Sequence, residues 1–355
     1  MQFDRRRMLA LMGCLGALAA PAPVCAAGRR MTDSAGRMVN MPDSVSKVFP
    51  AGPPASIFLY MMAPDLMTGW TRPLRAQERA GIPAKYHDLP TTGRLTGRGG
   101  SANLETVMLM KPDLILDYGS VKPTYVSLAD RVQAQTGIPY ALIDGRFDNI
   151  PKSFLTVGDL IGRPDRGRAC AARAEKIIVE LAAARASLAG ASPPRVYYGR
   201  GADGLQTGLK GSINVELLGH AGAVNVAEAA GEGGLTKVSL EQVLGWDPDV
   251  ILTTDPNFFE LVWTHDVWKT LRAVKAGRVY LSPTIPWGWF DRPPSANRLI
   301  GLYWLLAVLY PDRFLGALED RACDFYSFFY HLDMDGDLLA RIMGPGSNPG
   351  NPYKP

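Results

Sequence analysis

The chain carries one pattern twice, as "ANLETVMLMKPDLILDYG" from Ala102 and as "VSLEQVLGWDPDVILTTD" from Val238. Each copy has Leu-Glu, an apolar-rich stretch at helical spacing, a break at Pro-Asp, and then a continuous apolar run. Leu104 to Met110 and Leu240 to Leu244 read as helices, ended by Lys111-Pro112-Asp113 and by Asp247-Pro248-Asp249. "LILDYG" and "VILTTD" read as strands buried on both faces, the pattern of a parallel sheet. A chain that writes this helix-strand step twice, more than a hundred residues apart, is expected to build two equivalent α/β lobes.

The remaining segments fit that frame. In the first half "SKVFPAG" reads as a strand, "ASIFLYMMA" as an apolar helix, "DLMTGW" as a second strand, and "LADRVQAQTG" with "IPYALID" as a further helix and strand. A long helical stretch from about Ser153 to Leu188 follows, interrupted near Gly162-Arg163-Pro164. The pattern then restarts with strand "RVYYGRG", helix "INVELLGHAG" and short strand "AVNVAE", and after the second copy "HDVWKTLRAVKAGRVYLSP" repeats the helix-strand step. The tail from Ser295 to about Met343 reads as helical. The fold class expected is α/β: two lobes with central, mainly parallel sheets joined by one long connecting helix. The boundaries expected are a first lobe over 29–150, the connecting helix over 151–190 and a second lobe over 191–355.

A length of 355 residues supports two such units. Residues 1–26 read as a cleaved export signal: Arg5, Arg6 and Arg7, an apolar run from Met8 to Ala20 too short to span a bilayer, and small residues around Ala26. The arginines also resemble a twin-arginine signal, with a general secretory signal as the alternative, and Cys25 is an alternative site of lipidation. Removing three arginines and Asp4 lowers the formal charge from +4 to +2, which is no nucleic-acid footprint. Cys170 and Cys323 then remain, two distant thiols that make neither a disulfide scaffold nor a metal cluster.

With the paired repeat, the connecting helix and the segment "DRPPSANRLIGLYWLLAVLYPDRF", the chain resembles the periplasmic substrate-binding proteins of ABC importers for iron–siderophores, haem and vitamin B12. The resemblance runs from about Met31 to Met343 and leans toward the iron-complex branch. It implies a receptor that captures a siderophore-like metal chelate between its lobes and delivers it to an inner-membrane permease. It implies a periplasmic monomer with no catalysis and no cofactor of its own. Haem, corrinoid or a nickel or cobalt chelate is the alternative ligand, and an enzyme or sensor on the same fold is the alternative class. The resemblance also implies that Glu105 and Glu241, one per repeat, meet arginines of the permease. A glutamate in a helix's first turn also gains from the helix dipole, which accounts for either one alone.

In parallel sheets the ligand lies beyond the carboxyl ends of the strands. Those loops carry Trp70, Arg72, Arg94 and Tyr118 in the first lobe, and Tyr198, Arg200, Asp255, Trp287, Trp289 and Arg292 in the second. Rings would stack on a planar ligand, and guanidinium groups would meet carboxylate or catecholate oxygens. Trp287 and Trp289 flank Gly288, so at least one of them is expected to line the cleft. With Asp255 as the lone acid in the set, the cleft is expected to be positive and to take an anion.

Other motifs carry less. "GRGADG" from Gly199 spells a dinucleotide fingerprint, but further glycines follow where its helix should start. "HLDMDGDLL" lacks the closing glutamate of a calcium loop. His87, His220, His265 and His331 are scattered without ligand spacing, so a bare-metal site is not expected.

Overall fold

The computed structural model describes residues 29–349 apart from 98, 99, 189 and 191, so the export signal and Cys25 lie outside the described residues. A hairpin of β1 (Arg29–Thr32) and β2 (Met38–Met41) precedes β3 (Val48–Pro50), α1 (Pro53–Met62) and the short α2 (Ala76–Arg79). Next come α3 (Leu104–Met110), β4 (Leu114–Gly119), α4 (Pro123–Thr136), β5 (Tyr140–Asp144), α5 (Ile150–Leu160) and α6 (Pro164–Ala186). The second lobe runs through β6 (Arg195–Gly199), β7 (Gln206–Gly208), α7 (Glu216–His220), β8 (Val224–Asn225), β9 (Leu235–Lys237), α8 (Leu240–Trp246) and β10 (Val250–Thr253). It continues with α9 (Pro256–Thr264), α10 (Arg272–Lys275) and β11 (Val279–Leu281), before the helices α11 (Arg298–Leu309), α12 (Pro311–Phe314), α13 (Leu318–Tyr330) and α14 (Gly336–Ser347).

The lobes are built on two parallel sheets, ordered β3-β4-β5 and β11-β10-β6-β8. The repeat strands β4 and β10 each have a neighbour on both sides, which is why both read as unbroken apolar runs. The repeat is also a structural one. Helices α3 and α8 are each seven residues long, capped by Asn103 and Ser239, and each ends on a left-handed residue, Lys111 or Asp247. The aspartate after the proline ties the new strand to its neighbour. Asp113 accepts from the backbone N–H of Ser46 and Lys47 at 2.7 and 2.9 Å, and Asp249 accepts from that of Arg195 at 3.0 Å. Leu-Glu…Pro-Asp thus encodes one helix start, one helix stop and one strand register.

One segment departs from the sequence reading, and three others take definite form. "DLMTGW" makes only isolated bridges, Val48 to Met67 and Trp70 to Thr91. The connecting stretch is two helices, α5 and α6, packed through Gly158 and Gly167; a Cβ on Gly158 would stand 2.8 Å from the Gly167 Cα. Gly199–Gly204 opens no helix: Arg200 and Gln206 exchange backbone hydrogen bonds at 2.7 and 3.1 Å, which turns the segment into a hairpin leading to β7. Asp335 of "HLDMDGDLL" caps α14 by accepting from the Leu338 N–H.

One apolar core runs through both lobes, from α1 and Tyr118 across α5 and α6 to Tyr198, Trp289, α11 and α13. Arg166 of α6 donates to the carbonyls of Met61 and Phe328, and the Tyr60 hydroxyl donates to the Tyr330 carbonyl. The C-terminal helices therefore cross back onto the first lobe and tie it to the second.

The first lobe buries one unusual acid. Asp117 of β4 is 4% exposed and accepts from the Thr96 and Tyr140 hydroxyls, both at 3.1 Å. Burial pushes its carboxyl up to about 6 against those two hydrogen bonds. A carboxyl whose folded pKa lies above its unfolded one stabilises the fold fully below the unfolded value and loses that contribution as pH rises through the folded one. We expect wild type to gain about 2 kcal/mol relative to Asp117→Asn as pH falls from 7.5 to 4. Thermal unfolding of both proteins across that range checks it; a constant difference contradicts it.

Candidate functional site

The carboxyl ends of both sheets meet at the loop between β11 and α11, residues 282–297. Gly288 makes this loop possible, since a Cβ there would lie 1.7 Å from the Asp291 carbonyl oxygen. The Phe290 N–H donates to Ser282 Oγ at 3.2 Å, and the Asn297 amide donates to the carbonyls of Gly288 and Pro293. Ser295 Oγ reaches across to the Pro54 carbonyl of the first lobe, 2.9 Å away.

This fold-back decides where the aromatic candidates go. Trp287 packs on Tyr60, Trp70 and Tyr330 at centroid distances of 5.2, 5.7 and 5.1 Å. Trp70 donates its Nε1–H to the Tyr86 carbonyl at 2.8 Å, and Trp289 donates to the Tyr326 hydroxyl at 3.1 Å. Tyr118 stacks on Phe58 at 4.3 Å, and Tyr198 packs edge-on to Phe290. None of Trp70, Tyr118, Tyr198, Trp287 and Trp289 is more than 6% exposed. Both tryptophans beside Gly288, one of which is expected to line the cleft, are buried in the structure. The tight turn at Gly288 lets both indoles enter one core, where they pack on neighbouring tyrosines of α13, Tyr330 and Tyr326.

The arginine candidates stay nearer the solvent, and three of them meet carboxylates. Arg72, 47% exposed, makes a two-pronged pair with Glu78 at 2.6 and 2.8 Å. Arg292, 43% exposed, lies 3.3 Å from Asp255, which also caps α9. Arg200, 15% exposed, lies 3.1 Å from the fully buried Asp291. Arg94 is half-buried, and its carbonyl accepts from Ser101 and Ala102, closing its loop. Asp255 is thus not the lone acid. Arg292 also has φ at +65°, a left-handed conformation that a non-glycine residue adopts under constraint, so the loop geometry imposes that side chain's place.

Two groups of functional weight escaped sequence reasoning. Asp291 accepts from the Tyr198 hydroxyl and from the Asn214 amide, both at 2.8 Å, as well as pairing with Arg200, and so fixes β6 to the strap. Arg298, with no exposed surface, donates to the carbonyls of Ser295, Ile213 and Gly145 and to Glu216, whose carboxylate also accepts from the Phe147 N–H at 2.9 Å. Gly145 and Phe147 belong to the first lobe, Ile213 and Glu216 to the second. Burial raises the Tyr118 hydroxyl well above its ordinary pKa, with Arg298 pulling the other way. A charge at the head of the otherwise apolar "NRLIGLYWLL" was the available signal for Arg298.

Glu105 and Glu241 stand exposed in the first turns of α3 and α8. Hydrogen bonds from its own backbone N–H and from Ser239 hold the Glu241 carboxyl below its usual range.

Residues 71–286 match the periplasmic binding protein family. The chain belongs to that family. It superposes with a TM-score of 0.77, at 28% identity and over 88% of its length, on 98% of an ABC transporter solute binding protein from Sulfurospirillum deleyianum. Molybdate-bound MolA of Haemophilus influenzae shares the fold, with a TM-score of 0.71 at 23% identity over 86% of this chain and 99% of that one. In sequence the chain is 37% identical to the molybdate-binding protein MolA over 154 residues, 42% of this chain and 40% of that protein. It is 28% identical to the Fe(3+)-citrate-binding protein YfmC of Bacillus subtilis over 199 residues, 55% of this chain and 61% of that protein. The chain thus spans about half the length of these curated relatives. Among the described residues no helix is long and apolar enough to cross a membrane.

Proposed function

We propose that this periplasmic binding protein is the receptor of an ABC importer and captures a compact, metal-bearing anion at the strand ends, for delivery to the permease through Glu105 and Glu241. The observation that carries the reading is the division of labour in the loop cluster: the rings are buried, and what the loops offer a solute is guanidinium. Guanidinium groups match oxyanion and carboxylate oxygens in geometry and charge. Arg72, Arg94, Arg200 and Arg292 are the proposed ligand contacts, with Asp255 and Asp291 orienting two of them. Trp70, Tyr118, Tyr198, Trp287 and Trp289 form the frame behind them.

This narrows the iron–siderophore expectation. A flat aryl chelate gains little from rings already packed on one another, whereas an oxyanion or a ferric carboxylate complex needs only the arginines. The similarity to a molybdate binder and to a ferric-citrate binder favours the same class. Export by the N-terminal signal is part of the reading.

The test is calorimetric titration with molybdate, ferric citrate and simple divalent metal salts. One of the two anions is expected to bind, with Arg292→Ala weakening it at least tenfold, about 1.4 kcal/mol. Binding of a bare divalent cation with no response to either anion would overturn the proposal.

A further inference from the structure

The most exposed large apolar side chain among the described residues is Leu109, at 80%, and Met108 beside it is 41% exposed. Both sit on α3, the helix of Glu105. Leu109 follows Glu105 by four residues and so shares its face, one turn along. Helix α3 is held to its lobe by Val107, its one buried residue, so the fold makes no use of Leu109.

The second copy of the repeat supplies an internal control. In α8 the buried anchor is again a valine, Val243, and the exposed acid is again a glutamate, Glu241. The position of Leu109 is taken by the exposed Gly245, and that of Met108 by the half-buried Leu244. The two copies agree in everything that folds the helix and differ in what they show outward.

We propose that the first lobe docks on the permease through a two-part contact. Glu105 pairs with a cation of the permease, while Leu109 with Met108 enters an apolar recess beside that cation; the second lobe docks through Glu241 alone. This rests on the docking reading above and adds to it an asymmetry between the lobes. The surface is continuous with the Glu105 contact, and a permease face that joins a basic group to an apolar recess satisfies both parts. A second copy of the chain fits poorly. A two-fold contact through Leu109 would bring two Glu105 helices together, like charge toward like charge, and two side chains per protomer fall far short of the roughly 1,200–2,000 Å² that a stable interface buries.

The test measures affinity of the full chain for its permease in lipid nanodiscs, with thermal unfolding and sedimentation of each variant. Leu109→Asp is expected to weaken docking roughly tenfold or more, as burial of a leucine implies, and Leu109→Gly, which copies the second lobe, by a smaller factor. Both should lower the unfolding midpoint by no more than a few degrees, the cost of helix propensity and dipole alone. If Leu109→Asp docks like wild type while Glu105→Ala does not, the apolar contact is refuted and the acidic docking stands. If Glu105→Ala and Glu241→Ala both dock normally, the docking reading itself fails and this inference with it. Dissociation of a wild-type dimer by Leu109→Asp would assign the patch to a second copy and overturn the proposal.

Discussion

Arg298→Ala is expected to destabilise the protein by about 3 kcal/mol or more, the cost of stripping the partner from a buried ion pair. The guanidinium is wholly buried and makes four hydrogen bonds to groups of both lobes, so the change leaves Glu216 and the carbonyls of Ser295, Gly145 and Ile213 without this donor. For a chain of this size the unfolding midpoint should fall by several degrees. Arg298→Met keeps much of the volume but not the donors, and is expected to recover little. If Arg298→Met unfolds like wild type, the residue acts by packing alone and the account of the lobe junction is wrong. The same junction implies that solute binding moves the lobes little, because a shared core and a buried ion pair have no soft hinge to bend.

The second large effect concerns transport. Replacing both Glu105 and Glu241 by Ala should lower uptake through the permease by roughly tenfold or more, with each single change costing less. Solute affinity of the purified protein should stay within about tenfold of wild type, because both side chains are exposed and neither belongs to the proposed set of ligand contacts. Uptake assays in cells that make only the variant receptor, with titration of the same proteins, separate the two quantities. Normal uptake by the double variant removes the docking assignment; a joint loss of uptake and solute affinity would place these residues in the binding site instead.

The fold was legible because it is written in local terms. Helix caps at Asn103 and Ser239, breaks at Pro112 and Pro248 and apolar strands after them are one-dimensional signals, and they occur twice. The hairpins β1–β2 and β7–β9 left no such trace, since strands of three or four residues with mixed polarity have too little period to detect. The site was legible only in part. Arginines on strand-end loops could be found by topology, but their partners Glu78 and Asp291 could not, and neither could the burial of Trp287 and Trp289. A tryptophan in a loop reads the same whether it faces a ligand or folds under a turn. What settles it is a contact with Tyr60 or Tyr326, far away in sequence. Asp291 opens the quoted "DRPPSANRLIGLYWLLAVLYPDRF", one residue before a chosen arginine, and was passed over because its three partners come from other elements.

The central claim is that the cleft arginines hold a compact, metal-bearing anion. Native mass spectrometry of the protein purified from its own periplasm, without added ligand, tests it most directly. The account predicts a species heavier than the mature chain by the mass of a metal oxyanion or a metal carboxylate complex, lost in Arg292→Ala. A retained aryl siderophore or haem, or a bare metal cation that survives Arg292→Ala, would contradict it.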